Sequence, residues 1–227
     1  MRLSKFKDCR LGQRGIIVAN GPSLNNMDFS LLRGETLIGM NKIFLGFEKF
    51  TIYPKYYVAI NNKVIGQSVA EIKALNCVKF ISEQNANGLI QEDALTYLLN
   101  TKTPPARFAT DLTLGVNEGW TVTYVALQIA YYLGFSEVVL VGLDHRYKYS
   151  GKPNEARILE GADLNHFSDK YFGYGQTWDN PDLSNSEESY ALARECYERD
   201  GRRIIDATLD GACTVFEKAD YRKLFAH

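Results

Sequence analysis

The sequence predicts a three-layer α/β fold in which helices cover both faces of a mostly parallel sheet. Three observations support this prediction. Short apolar runs rich in β-branched residues alternate with helical stretches along the 227 residues. The first run, Gly15–Ala19, is continuously apolar and is cut off by Asn-Gly-Pro, as expected for a buried parallel strand. No linker or internal repeat divides the chain, so we expect residues 1–227 to form one domain.

Three more strands are predicted in the first half of the chain. They share short length and apolar composition with Gly15–Ala19, and they are Thr36–Met40, Tyr56–Ile60 and Val78–Ser82. The stretch after them, Gln84–Gly119, is rich in Asn, Thr and Pro. We expect it to wrap around the edge of the sheet.

Helices lead into strands in the second half. Thr121–Leu133 has apolar residues at helical spacing, and Gly134 follows where a glycine commonly ends a helix. The apolar run Glu137–Gly142 is the next predicted strand. The last pair of elements is a helix at Ser186–Arg199, with Ser184 or Ser186 as N-cap, and a strand beginning at Arg203–Asp206.

One long segment breaks the rhythm of strands and helices. Arg146–Asp182 has little periodicity and many Tyr, Gly, Asn and charged residues. Long inserts without regular structure inside a compact domain are usually functional. We therefore interpret residues 146–182 as a mobile lid over a binding site.

Composition excludes several classes of function. The net charge of −1 leaves no basic excess for a nucleic-acid backbone, so no nucleic-acid partner is expected. The four cysteines are scattered, as is typical of a reducing compartment, and they show no metal-ligand spacing. No apolar run is long enough to span a membrane, and Met1–Asp8 lacks the apolar core of a signal peptide. We expect a cytoplasmic protein, and the sequence leaves open whether it forms a homo-oligomer.

The segment after the first strand predicts a phosphate loop. Gly21 lets the backbone approach a ligand, and Pro22 suits the first turn of a helix. Backbone N–H groups there, with the hydroxyl of Ser23 and the amide of Asn20, would bind a phosphate. A plain strand-to-helix turn is the alternative. The loop matches neither GxGxxG nor GxxxxGK[ST], which disfavours a dinucleotide site and a Walker-type NTPase.

Asparagines also follow the next two strands. Asn41 comes directly after the second, and Asn61 and Asn62 follow the third. Parallel strands place these amides at one edge of the sheet, beside Asn20. This predicts a polar pocket for a base, a ribose or a sugar, with ordinary loop usage as the alternative.

Three residues are candidates for acid–base chemistry. Asp144 and His145 follow the most apolar strand, where the carboxylate could orient a hydroxyl and the imidazole could move a proton. His166 lies in the insert, close to Tyr171 and Tyr174, whose side chains could close over a ligand. Capping or packing roles remain the alternatives for all of them. The sequence contains no HxxxH, no DxD and no paired Cys/His cluster, so we expect no tightly held metal and no cofactor.

These residues resemble a known family. Ala19-Asn-Gly-Pro-Ser-Leu24, Met40-Asn-Lys-Ile-Phe44 and Glu137-Val-Val-Leu-Val-Gly-Leu-Asp144 are similar to motifs of the bacterial sialyltransferases of glycosyltransferase family 42. They also resemble the broader group of proteins similar to the archaeal 6-hydroxymethylpterin diphosphokinase (MptE-like, DUF115), some of which accompany flagellin or surface-glycan glycosylation.

The resemblance implies a Rossmann-like variant of the GT-A fold, a CMP-activated sugar donor, a glycan acceptor, and metal-independent, inverting transfer. It also implies that Asn20 contacts the donor phosphate or ribose, that Asn41 contacts the nucleotide, and that Asn61 supplies a third amide. The cytidine would meet the start of the long helix near Thr121 and Thr123.

The chain departs from the sialyltransferase pattern at the base. The family carries a histidine directly after Tyr-x-Gly, and this sequence has Tyr171-Phe-Gly-Tyr174 there. Either His166 or His145 substitutes in space, or the chemistry differs. The leading hypothesis is a nucleotide-sugar glycosyltransferase that uses a CMP-linked acidic sugar. The alternatives are ATP-dependent pyrophosphoryl transfer to a hydroxymethylpterin, which normally needs carboxylate-bound Mg²⁺, and a nucleotide-binding module without catalysis.

Overall fold

A parallel sheet of eight strands forms the centre of the structure, a computed structural model that describes residues 2–103 and 107–226. The strands of the described chain are β1 (Arg14–Val18), β2 (Thr36–Met40), β3 (Tyr56–Ala59), β4 (Val78–Ser82), β5 (Thr96–Leu99), β6 (Thr101–Lys102), β7 (Val116–Asn117), β8 (Glu137–Val141), β9 (Ala156–Ile158), β10 (Thr177–Asp179), β11 (Arg203–Asp206) and β12 (Glu217–Lys218). Their order across the main sheet is β12-β11-β8-β1-β2-β3-β4-β5. Every neighbouring pair in this sheet is parallel, so all carboxyl ends lie along one edge.

Seven α-helices and five short 3₁₀ helices complete the described chain. The α-helices are α1 (Phe47–Phe50), α2 (Asn62–Gln67), α3 (Val69–Ala74), α4 (Glu83–Ala86), α5 (Val122–Leu133), α6 (Leu183–Arg199) and α7 (Tyr221–Leu224). The 3₁₀ helices are Leu3–Phe6, Pro22–Asn26, Phe29–Leu32, Ile43–Gly46 and Leu112–Leu114.

Two hydrophobic cores, one on each face of the sheet, make the structure three-layered. Ile17 of β1 belongs to the core that contains the nearly fully buried helix α5, whereas Ile16 and Val18 belong to the opposite core. This alternation follows from the two-residue period of a strand, and both faces need apolar residues because both are covered. The predicted Rossmann-like fold class is confirmed.

The start of α6 differs from the expectation. Asp182 is the N-cap, since its carboxylate accepts a hydrogen bond from the backbone N–H of Asn185 at 3.2 Å. Ser184 and Ser186 lie inside the helix, where the hydroxyl of Ser186 donates to the backbone carbonyl of Asp182 at 2.7 Å. The prediction of a serine cap was wrong because a carboxylate two residues before Ser184 already satisfies the first turn.

Both segments that break the sequence rhythm contain strands. Gln84–Gly119 supplies β5, which is the edge strand itself, and the parallel pair β6–β7, while residues 104–106 of this stretch lie outside the described chain. Within residues 146–182, β9 and β10 pair in antiparallel fashion, with Trp178 beside Arg157. The insert is therefore not structureless. It contains two strands that pair with each other but are too short to be recognised in the sequence.

Membrane insertion finds no support in the helices. Among residues 2–103 and 107–226, no helix combines the length and the apolar character needed to cross a bilayer.

Candidate functional site

A cavity of about 590 Å³ opens at the carboxyl edge of the sheet. It lies where β1 has β2 on one side and β8 on the other, which is the point at which the strand order reverses. Ligands of open parallel sheets bind at such switch points. The cavity has two walls, which we name by their residues. The strand-end wall consists of Asn20, Gly21, Asn41, Asn61 and Asp144, and the insert wall consists of the cavity-lining residues between Arg146 and Asp182.

The loop after β1 is held by a carboxylate. Asp144 accepts hydrogen bonds from the backbone N–H of Ser23 at 3.0 Å and from its hydroxyl at 2.6 Å. A Cβ atom on Gly21 would lie 1.9 Å from Oδ2 of Asp144, so only glycine fits there. Pro22 begins a short 3₁₀ helix, and neither Pro22 nor Ser23 lines the cavity. One N–H expected for phosphate therefore already bonds Asp144, and Gly21 and Asn20 are the loop residues that reach the cavity.

Burial raises the pKa of the Asp144 carboxyl group. The surrounding protein disfavours its charged form and raises the pKa of this carboxyl above its ordinary value, although the hydrogen bonds from Ser23 oppose the shift. Asp144 is consequently a structural support of the loop that also lines the cavity.

Asparagine side chains carry unpartnered oxygens into this region. Asn20 is 8% exposed, and its Oδ1 atom has no hydrogen-bond partner among the described residues. The same holds for Oδ1 of Asn41, whose backbone has a φ of +48°. Buried amide oxygens normally have partners, so two without one beside a cavity point to a ligand.

The asparagines after β3 are placed differently. Oδ1 of Asn61 accepts from the backbone N–H of Val64 at 3.0 Å and caps α2, while Asn62 is the exposed first residue of that helix. Both line the cavity. The structure thus brings all four asparagines together, and helix capping already accounts for one of them.

His166 forms a dyad with Asp163, a residue that sequence reasoning missed. Nδ1 of His166 lies 2.7 Å from Oδ2 of Asp163. Burial raises the pKa of Asp163, but hydrogen bonds from His166 and from the backbone N–H groups of Asn165 and Phe172 outweigh it, so that the pKa is lowered overall. An ionised carboxylate only accepts hydrogen bonds, so the contact with Asp163 places a proton on Nδ1 and makes Nε2 the ring nitrogen that is not used in this pair.

The second histidine pairs with a helix residue. Nε2 of His145 lies 2.9 Å from Oε1 of Glu187 in α6, and the backbone of His145 has a φ of +55°. Both histidines line the cavity, as Asp144 does. Glu187, the partner of His145, is partly exposed, whereas Asp163, the partner of His166, is buried.

The two tyrosines predicted to close over a ligand lie in different environments. Tyr171 is 1% exposed and lines the cavity, and its ring stacks on His166 with the centroids 3.8 Å apart. Burial raises the pKa of its hydroxyl. Tyr174 is 84% exposed and does not line the cavity.

The threonines at the start of α5 do line the cavity. Thr121 is the N-cap, and its hydroxyl accepts from the backbone N–H of Thr123 at 3.3 Å and lies 3.3 Å from the hydroxyl of Tyr190. The hydroxyl of Thr123 points to the sulfur of Met40 at 3.7 Å. The structure therefore places these two residues at the site predicted for them.

A buried lysine attaches the insert to the sheet. Nζ of Lys42 donates to the backbone carbonyl of Tyr171 at 2.7 Å, to Gln67 at 2.9 Å and to Gln176 at 3.1 Å. Burial lowers the pKa of Lys42, and negative charge on Glu71 and Asp163 partly offsets this. Because Lys42 follows Asn41 directly, this clamp fixes the insert to the end of β2. Sequence reasoning missed it, since a lysine after a strand is usually exposed.

Residues with positive φ concentrate around the cavity. Four non-glycine residues of this kind line it: Asn41, Trp120, His145 and Asn154. Such backbone costs free energy and clusters at functional sites, which supports the assignment of this cavity as the site.

Metal binding has no obvious place in the described residues. In residues 2–103 and 107–226, no group of three or more His, Cys, Asp or Glu side chains is arranged to hold a metal ion.

Comparison with known proteins identifies the family. Residues 2–150 match the family described as 6-hydroxymethylpterin diphosphokinase MptE-like, and the chain belongs to this family. No protein among those with curated descriptions matches the sequence. Among solved structures, the MAf glycosyltransferase from Magnetospirillum magneticum AMB-1 is similar, with a TM-score of 0.58 and 15% identity.

The match to that glycosyltransferase concerns the fold. It covers 98% of this chain but 38% of the glycosyltransferase. The predicted resemblance to the MptE-like family is confirmed, and the description of this family names a transferase, a diphosphokinase. A nucleotide-related transferase is the coarse class that follows.

Proposed function

We propose that this member of the MptE-like family is a nucleotide-sugar-dependent glycosyltransferase. It transfers an acidic, sialic-acid-like sugar from a CMP-linked donor to a glycan hydroxyl, with inversion and without a metal ion. The observation that carries the proposal is His166, which lines the same cavity as the unpartnered amide oxygens of Asn20 and Asn41 and is hydrogen-bonded at Nδ1 by the buried Asp163. A base and a nucleotide-binding surface then face the same space.

In this proposal His166 is the general base. Nε2 of His166 accepts the proton of the acceptor hydroxyl as that oxygen attacks the anomeric carbon. The bond from this carbon to the donor phosphate breaks, and CMP leaves with the electron pair. Asp163 holds Nδ1 and stabilises the imidazolium that forms, as an orienting carboxylate does in other His–Asp pairs.

The strand-end wall binds the nucleotide. Oδ1 of Asn20 and of Asn41 can each accept a hydrogen bond from a ribose hydroxyl, while the amide N–H groups donate to phosphate oxygens. Gly21 brings the backbone close to the ligand. Donors placed around a departing phosphate stabilise the charge that develops on it.

The charge of the cavity favours a donor with a single phosphate. Arg146 is the one Lys or Arg among the described residues that line it, and acidic side chains such as Asp144, Asp179 and Glu118 lie around it. A CMP-linked acidic sugar carries two negative charges, one on the phosphodiester and one on the sugar carboxylate, and Arg146 is the cation that lines the cavity for them. A nucleoside triphosphate carries several, which proteins normally meet with Mg²⁺ and more than one cation.

The second candidate is pyrophosphoryl transfer from ATP to a hydroxymethylpterin. The description of the matching family favours it. Against it stands the lack of a carboxylate cluster for Mg²⁺ among the described residues. The two candidates differ in nucleotide and in metal requirement, so one experiment separates them.

That experiment is a thermal-shift titration with CMP, CDP, UDP, GDP, ADP and ATP, with and without Mg²⁺. A ligand that binds the native state raises the melting temperature. Stabilisation by CMP without metal supports the glycosyltransferase. Stabilisation by ATP or ADP only with Mg²⁺ would replace it with the diphosphokinase, and no stabilisation by any nucleotide would refute both.

Turnover with CMP-sugars then tests the base. His166→Asn is expected to keep CMP affinity and to lower kcat by about 10²–10⁴-fold. His145→Asn is the matched comparison and is expected to keep most of the activity, since its imidazole pairs with a partly exposed residue. Full activity of His166→Asn would exclude it as the base, and CMP binding without turnover of any CMP-sugar would favour a binding module.

The cytoplasmic location stays a prediction of the cysteine usage.

A further inference from the structure

The rim of the cavity next to α5 has a feature that the proposed roles do not use. Trp120 lines the cavity and is 41% exposed. Among the described residues its indole has no aromatic neighbour and its N–H has no acceptor. A large aromatic ring left uncovered at a cavity mouth is a surface for a ligand.

The backbone holds Trp120 in one direction. The N–H of Thr121 donates to the carbonyl of Glu118 at 3.1 Å, which closes a turn over Gly119 and Trp120. Their φ values are +53° and +66°, the sign that a type I′ turn has at both central positions. Tryptophan is unfavourable there. The cost persists because Thr121 caps α5 on one side and β7 precedes the turn on the other.

Next to Trp120 at this rim, the side chains of Asn85 and Glu118 have only hydrogen-bond acceptors left for a ligand. Nδ2 of Asn85 donates to the carbonyl of Ile60 at 2.6 Å and to Oε1 of Glu118 at 2.9 Å. An amide nitrogen has two protons, so both are used. These two acceptors also fix which way the amide points. What remains for a ligand is Oδ1 of Asn85 and Oε2 of Glu118, and both residues line the cavity.

Acidic character adds to this pattern. Within the described part of the chain, Glu118 forms no ion pair, and its carboxylate is half-buried. A carboxylate in such a place prefers a ligand that brings N–H donors. Exocyclic amino groups of bases are donors of this kind, and protein carboxylates accept from the amino group of cytosine.

From these contacts we infer that Trp120, Glu118 and Asn85 form a nucleobase subsite selective for bases with an exocyclic amino group. The base stacks on the indole of Trp120, and its amino group donates to Oε2 of Glu118 and Oδ1 of Asn85. Cytosine and adenine fit, whereas uracil and hypoxanthine place a carbonyl oxygen against these acceptors and lose affinity. This inference rests on the proposed nucleotide site and assigns the part of it that reads the base.

The test measures binding by isothermal titration to the wild type, Trp120→Ala, Trp120→Phe and Glu118→Gln. The ligands are CMP, UMP, AMP, IMP and ribose 5-phosphate, which lacks a base. Leu114→Ala is the matched control, because Leu114 is also a large exposed apolar residue but lies outside the cavity. Circular dichroism and melting temperature without ligand check the folding of each variant.

The wild type is expected to bind CMP more tightly than UMP, and AMP more tightly than IMP. Trp120→Ala lowers CMP affinity by about 10-fold, the scale of a lost base–aromatic stack, and leaves ribose 5-phosphate unchanged. Trp120→Phe keeps most of the affinity. Glu118→Gln brings an amide N–H and narrows the ratio of CMP to UMP affinity. Leu114→Ala matches the wild type for every ligand.

Other results overturn the inference in distinguishable ways. If the wild type binds nucleotides but Trp120→Ala binds CMP equally well, the base subsite is refuted and the proposed function stands. The same applies if Glu118→Gln leaves the ratio of CMP to UMP affinity unchanged. If no nucleotide binds the wild type, the proposed function and the subsite fail together.

Discussion

The two walls of the cavity are built by different means. The strand-end wall continues β1, β2, β3 and β8, so the hydrogen bonds of the sheet set its backbone. The insert wall has regular structure only in the short pair β9–β10. The insert packs on the sheet through buried aromatic side chains of Phe167, Tyr171, Phe172 and Trp178. Polar contacts add to this packing, among them the hydrogen bonds of Lys42 to Tyr171 and Gln176 and the bond from the N–H of Phe167 to the carbonyl of Asn20 at 3.0 Å. One wall is therefore set by sheet backbone and sensitive to steric change, whereas the other depends on side-chain packing and polar anchors.

The largest effect is expected from Gly21→Ala, on the strand-end wall. The new Cβ atom would lie 1.9 Å from Asp144 and 2.7 Å from the carbonyl of Gly142, so the loop or the carboxylate must move. We expect a loss of about 3 kcal/mol in the free energy of unfolding, together with a loss of nucleotide affinity. Denaturant unfolding and calorimetric titration measure the two effects.

A matched glycine serves as the control. Gly66 lies in α2, where an added Cβ would meet no atom within 4 Å. Gly66→Ala is expected to stabilise the protein by about 0.5–1 kcal/mol, because alanine favours a helix more than glycine does. Equal stability of the two variants would contradict the tight loop.

The next effect tests the anchors of the insert wall. Lys42→Met leaves the carbonyl of Tyr171 and two glutamine oxygens without their charged donor. We expect a loss of about 2–3 kcal/mol. Hydrogen exchange should show faster exchange at residues 163–178 and little change in β1 and β8, since the sheet does not depend on this lysine.

Lys63→Met is the control for that anchor. Lys63 forms an ion pair with Asp179 of β10, but both side chains are partly exposed. A pair of this kind contributes about 0.5 kcal/mol. If Lys63→Met loosened residues 163–178 as much as Lys42→Met does, burial of the anchor would not be what fixes the insert.

Sequence reasoning identified the strand-end wall far better than the insert wall. Buried parallel strands read as apolar runs, and residues directly after them must lie at one edge, so Asn20, Asn41 and Asp144 could be found from position alone. Asp163 and Lys42 could not. Their roles depend on how a segment without periodicity folds back onto the sheet, and no local pattern records that path.

A third prediction uses the opposite pKa shifts of two carboxyl groups, Asp144 on the strand-end wall and Asp163 in the insert. The pKa of Asp144 is raised in the folded protein, so the unfolded chain releases this proton at a lower pH than the folded protein does. The free energy of unfolding therefore falls as the pH rises from the unfolded pKa of Asp144, about 4, to its folded pKa. The pKa of Asp163 is lowered, so its contribution is complete above about pH 4 and is lost as pH falls through the folded value.

Two isosteric variants separate the two pH dependences of the free energy of unfolding. At neutral pH, Asp163→Asn is expected to lose about 1–3 kcal/mol, because three donors lose an ionised acceptor. Asp144→Asn is expected to be as stable as the wild type or more so. Unfolding free energies measured from about pH 3 to about pH 7 should show the rising slope missing in Asp163→Asn and the falling slope missing in Asp144→Asn. The reverse pattern would show that the assigned acidities are wrong.

The smallest effect concerns a residue that the sequence placed at the site. Tyr174 does not line the cavity and is largely exposed, so Tyr174→Ala should change nucleotide affinity less than about twofold, within the range of an ordinary surface substitution. Tyr171→Phe, which removes a buried hydroxyl beside Asn41 and the N–H of Lys42, should weaken binding more. A large loss in Tyr174→Ala would mean that the insert moves over the ligand and brings Tyr174 inward. The anchors at Lys42 and Phe167 would then have to break on binding, and the insert would act as the mobile lid that its sequence suggests.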